Sequence, residues 1–258
     1  MLLAIDSGNT NTVFAVFENN KCIGEWRGAT DPKRTADEYG VWLTQLLQVQ
    51  KIELQSITQA IIATVVPEAL FSLLELCRKY FNAEPLVVGD PDVKLDIDVL
   101  VDDPAQVGAD RLVNAVAGYQ KHKEAFVVVD FGTATTFDLI DHQGAYRGGV
   151  IAPGINLSLE ALDLAAARLP RITVKKPSVV VGRNTVSAMQ SGIYWGYVGL
   201  LEGLIKRIHN EFGDTTKVLA TGGLAPLFAE ATAIINEIDL DMTMRGLNYI
   251  SILNRGPC

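Results

Sequence analysis

The sequence predicts an α/β protein built from two similar halves, 1–120 and 121–258, each opening on antiparallel strands and continuing as alternating helices and strands. Three observations carry this. The chain begins with an apolar run, Leu2 to Ile5, that ends in Asp6, turns through Ser7-Gly8-Asn9-Thr10-Asn11-Thr12, and resumes as apolar from Val13 to Phe17. The design returns at Phe126 to Asp130, followed by Phe131-Gly132-Thr133-Ala134-Thr135-Thr136. Asp130 minus Asp6 is a step of 124, and the same step carries Gly8 to Gly132, Thr12 to Thr136 and Gly24 to Gly148. Motif, spacing and element order recurring together indicate an internal duplication.

Taken in order, the first hairpin is followed by a turn at Asn19-Asn20 and a third strand, Lys21 to Trp26. Helical spacing of Tyr39, Trp42, Leu43, Leu46 and Leu47 predicts an amphipathic helix over Thr35 to Gln48. The continuous apolar run Ala60 to Val66 reads as a buried parallel strand, and Pro67 suits the first position of the helix after it. Pro85 to Gly89 is a short strand, and Val93 to Asp103 alternates apolar and acidic residues as an edge strand or extended arm. Gly108 to Gln120 reads as a helix entered near Asp110. The second half repeats the order: a strand from Thr135, a turn at Gln143-Gly144, a strand to Ala152 and a helix from about Asn156 to Leu169. Val179 to Val181 reads as a strand, Thr185 as the cap of a helix running to about Phe212, and Lys217 to Ala220 as a strand ending in Thr221-Gly222-Gly223. A short helix, Gly246 to Leu253, closes the chain.

Composition bounds the function. Hydrophobic residues at 48% supply ample core for 258 residues, while a net charge of −8 argues against a broad nucleic-acid-binding face. The start meets Asp6 without a basic segment before it, so no signal peptide is expected, and no apolar run reaches the ~20 residues of a membrane span. Three scattered cysteines, Cys22, Cys77 and Cys258, suit a reducing cytoplasm better than a disulfide framework. The three histidines fall in no metal-ligand pattern, which points to a carboxylate as any general base.

The turn after Asp6 is rich in glycine, hydroxyls and amides. Such a tip lets successive backbone N–H groups form an anion-binding concavity, suited to a phosphate chain with its metal. A single hairpin of this kind is more often a plain surface turn; two at a fixed offset favour phosphate binding.

This architecture resembles the duplicated ribonuclease-H-like fold shared by actin, heat-shock ATPases and many sugar kinases. That resemblance implies ATP bound in a cleft between the halves, with one acidic hairpin from each facing the phosphates. Gly222-Gly223 then fits a third nucleotide contact, although strand-to-helix turns also use Gly pairs for purely structural reasons.

The whole chain further resembles the type III pantothenate kinase family. The motifs that carry this are Asp6-Ser7-Gly8-Asn9-Thr10, Gly108-Ala109-Asp110-Arg111, Asp130-Phe131-Gly132-Thr133-Ala134-Thr135, Gly149-Val150-Ile151-Ala152-Pro153-Gly154 and Gly182-Arg183-Asn184-Thr185. The family phosphorylates the primary hydroxyl of pantothenate with ATP, the first step toward coenzyme A, and its members are typically cytoplasmic homodimers needing Mg²⁺ and a monovalent cation, K⁺ or NH4⁺. The resemblance places ATP on Asp6, Ser7, Gly8, Asn9, Thr10, Asn11, Thr12, Val13 and Thr133, with Asp6 facing the triphosphate and Mg²⁺. It places the monovalent cation on Asp130, whose plainer alternative is a turn-forming side chain.

Pantothenate falls to Gly108, Ala109, Asp110, Arg111 and Thr185. Asp110 is the candidate proton acceptor, because an alcohol needs a base as the O–P bond forms; its alternative is a helix-start acid favoured by the dipole. Arg111 offers a planar fork for the substrate carboxylate or a phosphate, or else a surface ion pair. Thr185 contacts pantothenate in the family and could equally be an N-cap. Two departures stand out: Val101 lies where the family often has Tyr lining the pantothenate pocket, and Ser7 lies where many relatives carry an apolar residue. The rival expectations are a non-catalytic accessory regulator of the same family and another small-molecule kinase on this fold; the intact Gly108-Ala109-Asp110-Arg111 favours an enzyme. The apolar residues from Ile193 to Leu204 are candidates for either a dimer contact or core.

Overall fold

A computed structural model describes residues 1–165, 170, 172–213 and 216–255 of the chain. The chain divides into two compact units, Met1–His122 with Asp241–Cys258, and Lys123–Leu240.

The first unit carries β1 (Leu2–Ser7), β2 (Asn11–Glu18), β3 (Lys21–Ala29), α1 (Ala36–Val49), β4 (Gln59–Thr64), α2 (Pro67–Phe81), β5 (Pro85–Val87) and α3 (Ala109–His122). Its sheet runs β3-β2-β1-β4-β5, with β1 antiparallel to β2 and parallel to β4. Asn19 and Asn20, at φ 46° and 68°, make the tight β2–β3 turn, a conformation Asn tolerates better than most residues. Thr35 starts α1 through a reciprocal capping box: the Glu38 N–H donates to the Thr35 hydroxyl at 3.3 Å, and the Thr35 N–H donates to the Glu38 carboxylate at 2.8 Å. Pro67 opens α2, and Asn82 ends it in the left-handed region at φ 48°. One sheet face, with Ile5, Phe14 and Ile62, packs against Leu43 and Leu47 of α1 and Leu73 and Cys77 of α2. Burial pushes the Cys77 thiol up to about 12, so it behaves as an apolar core residue.

The second unit carries β6 (Phe126–Phe131), β7 (Ala134–Ile140), β8 (Tyr146–Pro153), α4 (Ile155–Ala165), α5 (Thr185–Phe212), β9 (Lys217–Thr221), α6 (Ala225–Ala229) and β10 (Glu237–Ile238). Its sheet order, β10-β9-β6-β7-β8, is the first sheet's order read from the other edge, so the predicted duplication holds at the level of topology. One face buries Val127, Val129 and Phe137 against Tyr194, Val198 and Leu201 of α5 and Phe228 of α6. The apolar residues expected between Ile193 and Leu204 therefore serve largely as core. The end of the helix predicted to reach Leu169 lies outside the described residues.

The segment expected as an edge strand or extended arm takes the second form, and one predicted strand, Val179 to Val181, is absent. Val93 to Asp103 is an arm whose Val93, Leu95 and Ile97 pack on the first unit's second core face, while Asp96 accepts hydrogen bonds from Gln120 and Tyr249 at 3.1 Å. Val179 to Val181 forms bends and is exposed. A β-branched run needs a partner strand, and β10 supplies the edge of the second sheet beside β9.

The last helix, α7 (Met242–Leu253), follows the second unit in sequence but belongs to the first. Its Met244, Leu247 and Ile250 share a buried cluster with Ala4, Ala63, Val113 and Val116. The contact is close at Gly246, where a Cβ would lie 2.5 Å from the Val113 carbonyl oxygen and 3.1 Å from the Ala117 methyl. Gly246→Ala is expected to destabilise the protein by about 1–3 kcal/mol, read as a lowered melting temperature, because backbone cannot yield as a side chain can.

Candidate active site

The loop after Asp6 is held by the ends of its neighbouring strands. β1 and β2 pair in register up to Ser7 opposite Thr12, which leaves Gly8 to Asn11 as the tip. The Gly8 N–H donates to the Asn11 carbonyl at 3.0 Å and closes it. From the β4 side, the Val65 N–H and the Thr64 hydroxyl donate to the Ser7 carbonyl at 3.1 and 3.2 Å. From the β3 side, the Thr30 N–H donates to the Thr10 carbonyl at 3.0 Å and its hydroxyl to the Gly8 carbonyl at 2.6 Å. Asp6 is half-buried, Asn9, Thr10 and Asn11 are exposed, and Ser7, Thr12 and Val13 are buried. Val13 packs in the core and pairs on both sides, with Asp6 of β1 and Arg27 of β3.

Ser7, the departure noted in the sequence, has a partner. Its hydroxyl lies 3.1 Å from that of Thr12, which lies 2.9 Å from that of Thr30. An apolar residue would leave that link unmade.

Asp110 stands in the first turn of α3. The Arg111 N–H donates to its Oδ1 at 2.8 Å, and both Arg111 and Leu112 donate backbone N–H groups to the Gly108 carbonyl at 3.1 and 3.2 Å. A Cβ on residue 108 would sit 2.6 Å from Asp110 Oδ1, so Gly108 makes room for this carboxylate. Ala109 is buried against the core, while Asp110 and Arg111 are half-buried. The four residues thus form one local structure: glycine for space, alanine as anchor, and a half-buried acid and arginine beside them. Val101 precedes it in a half-buried bend.

In the second unit, Asp130 occupies the end of β6, opposite Thr136 on β7 and Thr221 on β9. Here the hairpin is one residue tighter: Phe131 pairs with Thr135, leaving Gly132 to Ala134 as the tip. The structural counterpart of Thr12 is therefore Thr135, not the Thr136 that the constant step suggests. Gly132 and Thr133 are exposed. Gly154 lies so close beneath that a Cβ would land on the Thr133 carbonyl. Gly222, at φ +89°, carries the chain past the same loop, where a Cβ would meet the Phe131 carbonyl oxygen at 2.6 Å and Asp130 Oδ1 at 2.8 Å. Gly223 has open space around it. The two glycines have different tasks: Gly222 serves the Asp130 loop, and Gly223 leaves bare backbone at the surface.

Thr185 is the first residue of α5 and is exposed. The cap is Asn184, whose side chain accepts from the Ser187 N–H at 2.9 Å while the Asn184 N–H donates to the Ser187 hydroxyl at 3.2 Å. The expected capping role thus passes to its neighbour. Gly182 packs against the same turn, with a Cβ excluded by the Ala188 backbone.

Sequence reasoning missed Thr30 and Thr64. The duplication held a signal for the first: Ala29 pairs with Asn11 as Pro153 pairs with Ala134, so Thr30 corresponds to Gly154.

The type III pantothenate kinase family model matches residues 2–207. A type III pantothenate kinase of Paramagnetospirillum magneticum is 62% identical, covering 100% of this chain and 99% of its own. One from Rhodospirillum rubrum is 58% identical, covering 99% of both chains. Among solved structures, the activator of the 2-hydroxyisocaproyl-CoA dehydratase from Clostridium difficile, with bound ADPNP, superposes with a TM-score of 0.55 at 12% identity, over 98% of this chain and 93% of that one. Likeness of that degree speaks for the ribonuclease-H-like fold of sugar kinases and actin-like ATPases, while the full-length relatives speak for kinship. This chain belongs to the type III pantothenate kinase family.

Proposed function

We propose that this protein transfers the γ-phosphoryl group of ATP to the primary hydroxyl of pantothenate, giving 4′-phosphopantothenate, the first step of coenzyme A synthesis. The observation that carries the reading is Gly108-Ala109-Asp110-Arg111, intact and folded as one unit at the start of α3, in a chain with full-length kinase relatives. Phosphoryl transfer passes through a loose transition state, so the protein's work is positioning and charge balance. Asp110 takes the proton of the attacking hydroxyl, and Arg111 holds a substrate anion with its planar fork. Thr185, released from capping, offers a surface hydroxyl to pantothenate. Asp6 and the exposed Asn9 and Thr10 face the triphosphate, with Gly8, Ser7, Thr12 and Val13 shaping that loop; Thr133 serves ATP in the second unit.

Two ions fit the oxygens present. Asp6 is a hard oxygen donor at the phosphate loop, suited to Mg²⁺, which keeps several waters and is held largely by phosphates. Asp130 Oδ1 and the Phe131 carbonyl crowd the same spot over Gly222, a carboxylate–carbonyl pair suited to K⁺ or NH4⁺. When bound, the cations neutralise charge on the phosphates. The test is a coupled assay for ADP release with pantothenate present or omitted, with and without K⁺. Release that requires pantothenate supports the reading; release that ignores it indicates an ATPase, and none at all indicates a non-catalytic regulator.

A homodimer is part of this proposal. Gly192, Gly196 and Gly199 are exposed along α5 with nothing within 4 Å of an added Cβ. Each costs an isolated helix about 1 kcal/mol relative to alanine, a cost that close approach of a second helix offsets. Exposed Val179, Val180 and Val181 lie alongside, with the Val180 carbonyl accepting from the Ser191 hydroxyl of α5. Gly196→Arg is expected to turn a dimer into a monomer in sedimentation; an unchanged dimer would place the contact elsewhere. No helix among the described residues is long and apolar enough to cross a membrane.

A further inference from the structure

We propose that Thr30 is the positioning residue of the phosphate loop, a strut that sets how the loop holds ATP. The proposal rests on reading Asp6 to Thr12 as that loop. Thr30 touches it twice, by its N–H to the Thr10 carbonyl at 3.0 Å and by its hydroxyl to the Gly8 carbonyl at 2.6 Å. A hydroxyl has one proton. Thr30 spends its proton on Gly8, so in the 2.9 Å contact with Thr12 it must accept, and Thr12 donates. Thr12, its proton so used, must then accept from Ser7 across 3.1 Å. The result is a one-directional chain, Ser7 to Thr12 to Thr30 to the Gly8 carbonyl, in which each bond polarises the next.

Two consequences follow for the loop. Thr12 and Ser7 have no hydroxyl proton left for a phosphate, and the Gly8 N–H is taken by Asn11. Donation to phosphate thus falls on the exposed tip residues, whose aim is set by the carbonyls of Gly8 and Thr10 on either side of Asn9. Both of those carbonyls are held by Thr30.

The duplication explains why a side chain is needed here. The corresponding residue in the second unit, Gly154, has no room for a Cβ under a tip of three residues, Gly132 to Ala134. The first tip has four, Gly8 to Asn11. Across this longer tip the Thr30 backbone N–H reaches the Thr10 carbonyl and its hydroxyl reaches the Gly8 carbonyl. One loop rests on bare backbone; the other is propped.

The test uses the full chain with Thr30→Val, which keeps shape and removes the hydroxyl, and Thr30→Ser, which restores it. Thr30→Val is expected to raise the KM for ATP about tenfold while the KM for pantothenate stays within about twofold, and Thr30→Ser is expected to recover the ATP value. An unchanged ATP KM in folded Thr30→Val overturns the proposal. So does a rise in both KM values with a lower melting temperature and no recovery in Thr30→Ser, which would mark a merely structural role. If Thr30→Val does not fold, Thr30→Ala is read by the same criteria. Asp6→Asn separates the layers: an ATP KM unmoved by it removes the phosphate-loop reading and the strut together. A rise there without one in Thr30→Val removes the strut alone.

Discussion

Asp110→Asn is expected to lower kcat by about 10³, within the range that a positioned general base contributes, while ATP binding and the melting temperature stay near those of the parent protein. The geometry makes this substitution discriminating. Asp110 Oδ1 accepts a hydrogen bond from the Arg111 N–H at 2.8 Å, and the Asn amide oxygen can accept the same bond. If Asp110 served only as a helix-start acceptor, Asn would replace it and turnover would survive. If it takes the proton of the pantothenate hydroxyl, Asn cannot, since an amide is no base at neutral pH. Asp110→Ala provides the complement: it should lose turnover and also some stability, up to about 1 kcal/mol, because the Arg111 N–H loses one of its two acceptors and keeps the Gly108 carbonyl. Turnover in Asp110→Asn within about twofold of the parent would remove the base assignment, because general-base catalysis is worth far more than that.

Gly222→Ala is expected to have the second largest effect, a loss of activity of about 10² or more, together with a lower melting temperature. Two costs combine. The left-handed backbone at φ +89° strains any residue bearing a Cβ, by about 1–2 kcal/mol. The new methyl would also stand 2.6 Å from the Phe131 carbonyl oxygen and 2.8 Å from Asp130 Oδ1, so these proposed cation ligands must move apart. More K⁺ should then be needed for half-maximal activity. Gly223→Ala is the control, since open space surrounds that position. Equal losses in the two variants would show that the Gly-Gly turn, not the Asp130 corner, is what matters.

The contrast between Gly222 and Gly223 illustrates how much of the site was legible in the sequence. The pair could be read as a turn, and the resemblance suggested a nucleotide contact, but nothing local said which glycine crowds a carboxylate. Gly108 is similar: its place in the motif was plain, while its reason, room for the Asp110 side chain, is a matter of 2.6 Å. The step of 124, taken from the two aspartates, made Thr136 the counterpart of Thr12 where the structure has Thr135, because two adjacent threonines hide a turn one residue shorter. Asn184 took the cap expected of Thr185, since helix-start signals are accurate only to a residue or two.

The sequence by itself determined most of the elements and the motifs that mark the family. Apolar periodicity, caps and turn residues act over a few positions, so the two hairpins, most helices and the Gly108-to-Arg111 motif could be read directly. The tertiary structure decided what depends on distant partners. It returned α7 to the first unit, where Gly246 meets α3. It denied Val179 to Val181 a strand, for want of a partner in the second sheet. It also brought Thr30, 22 residues along the chain, onto the carbonyl of Gly8. Such contacts form only when the sheet is assembled, because a hydrogen bond between remote residues needs the whole register between them to be in place.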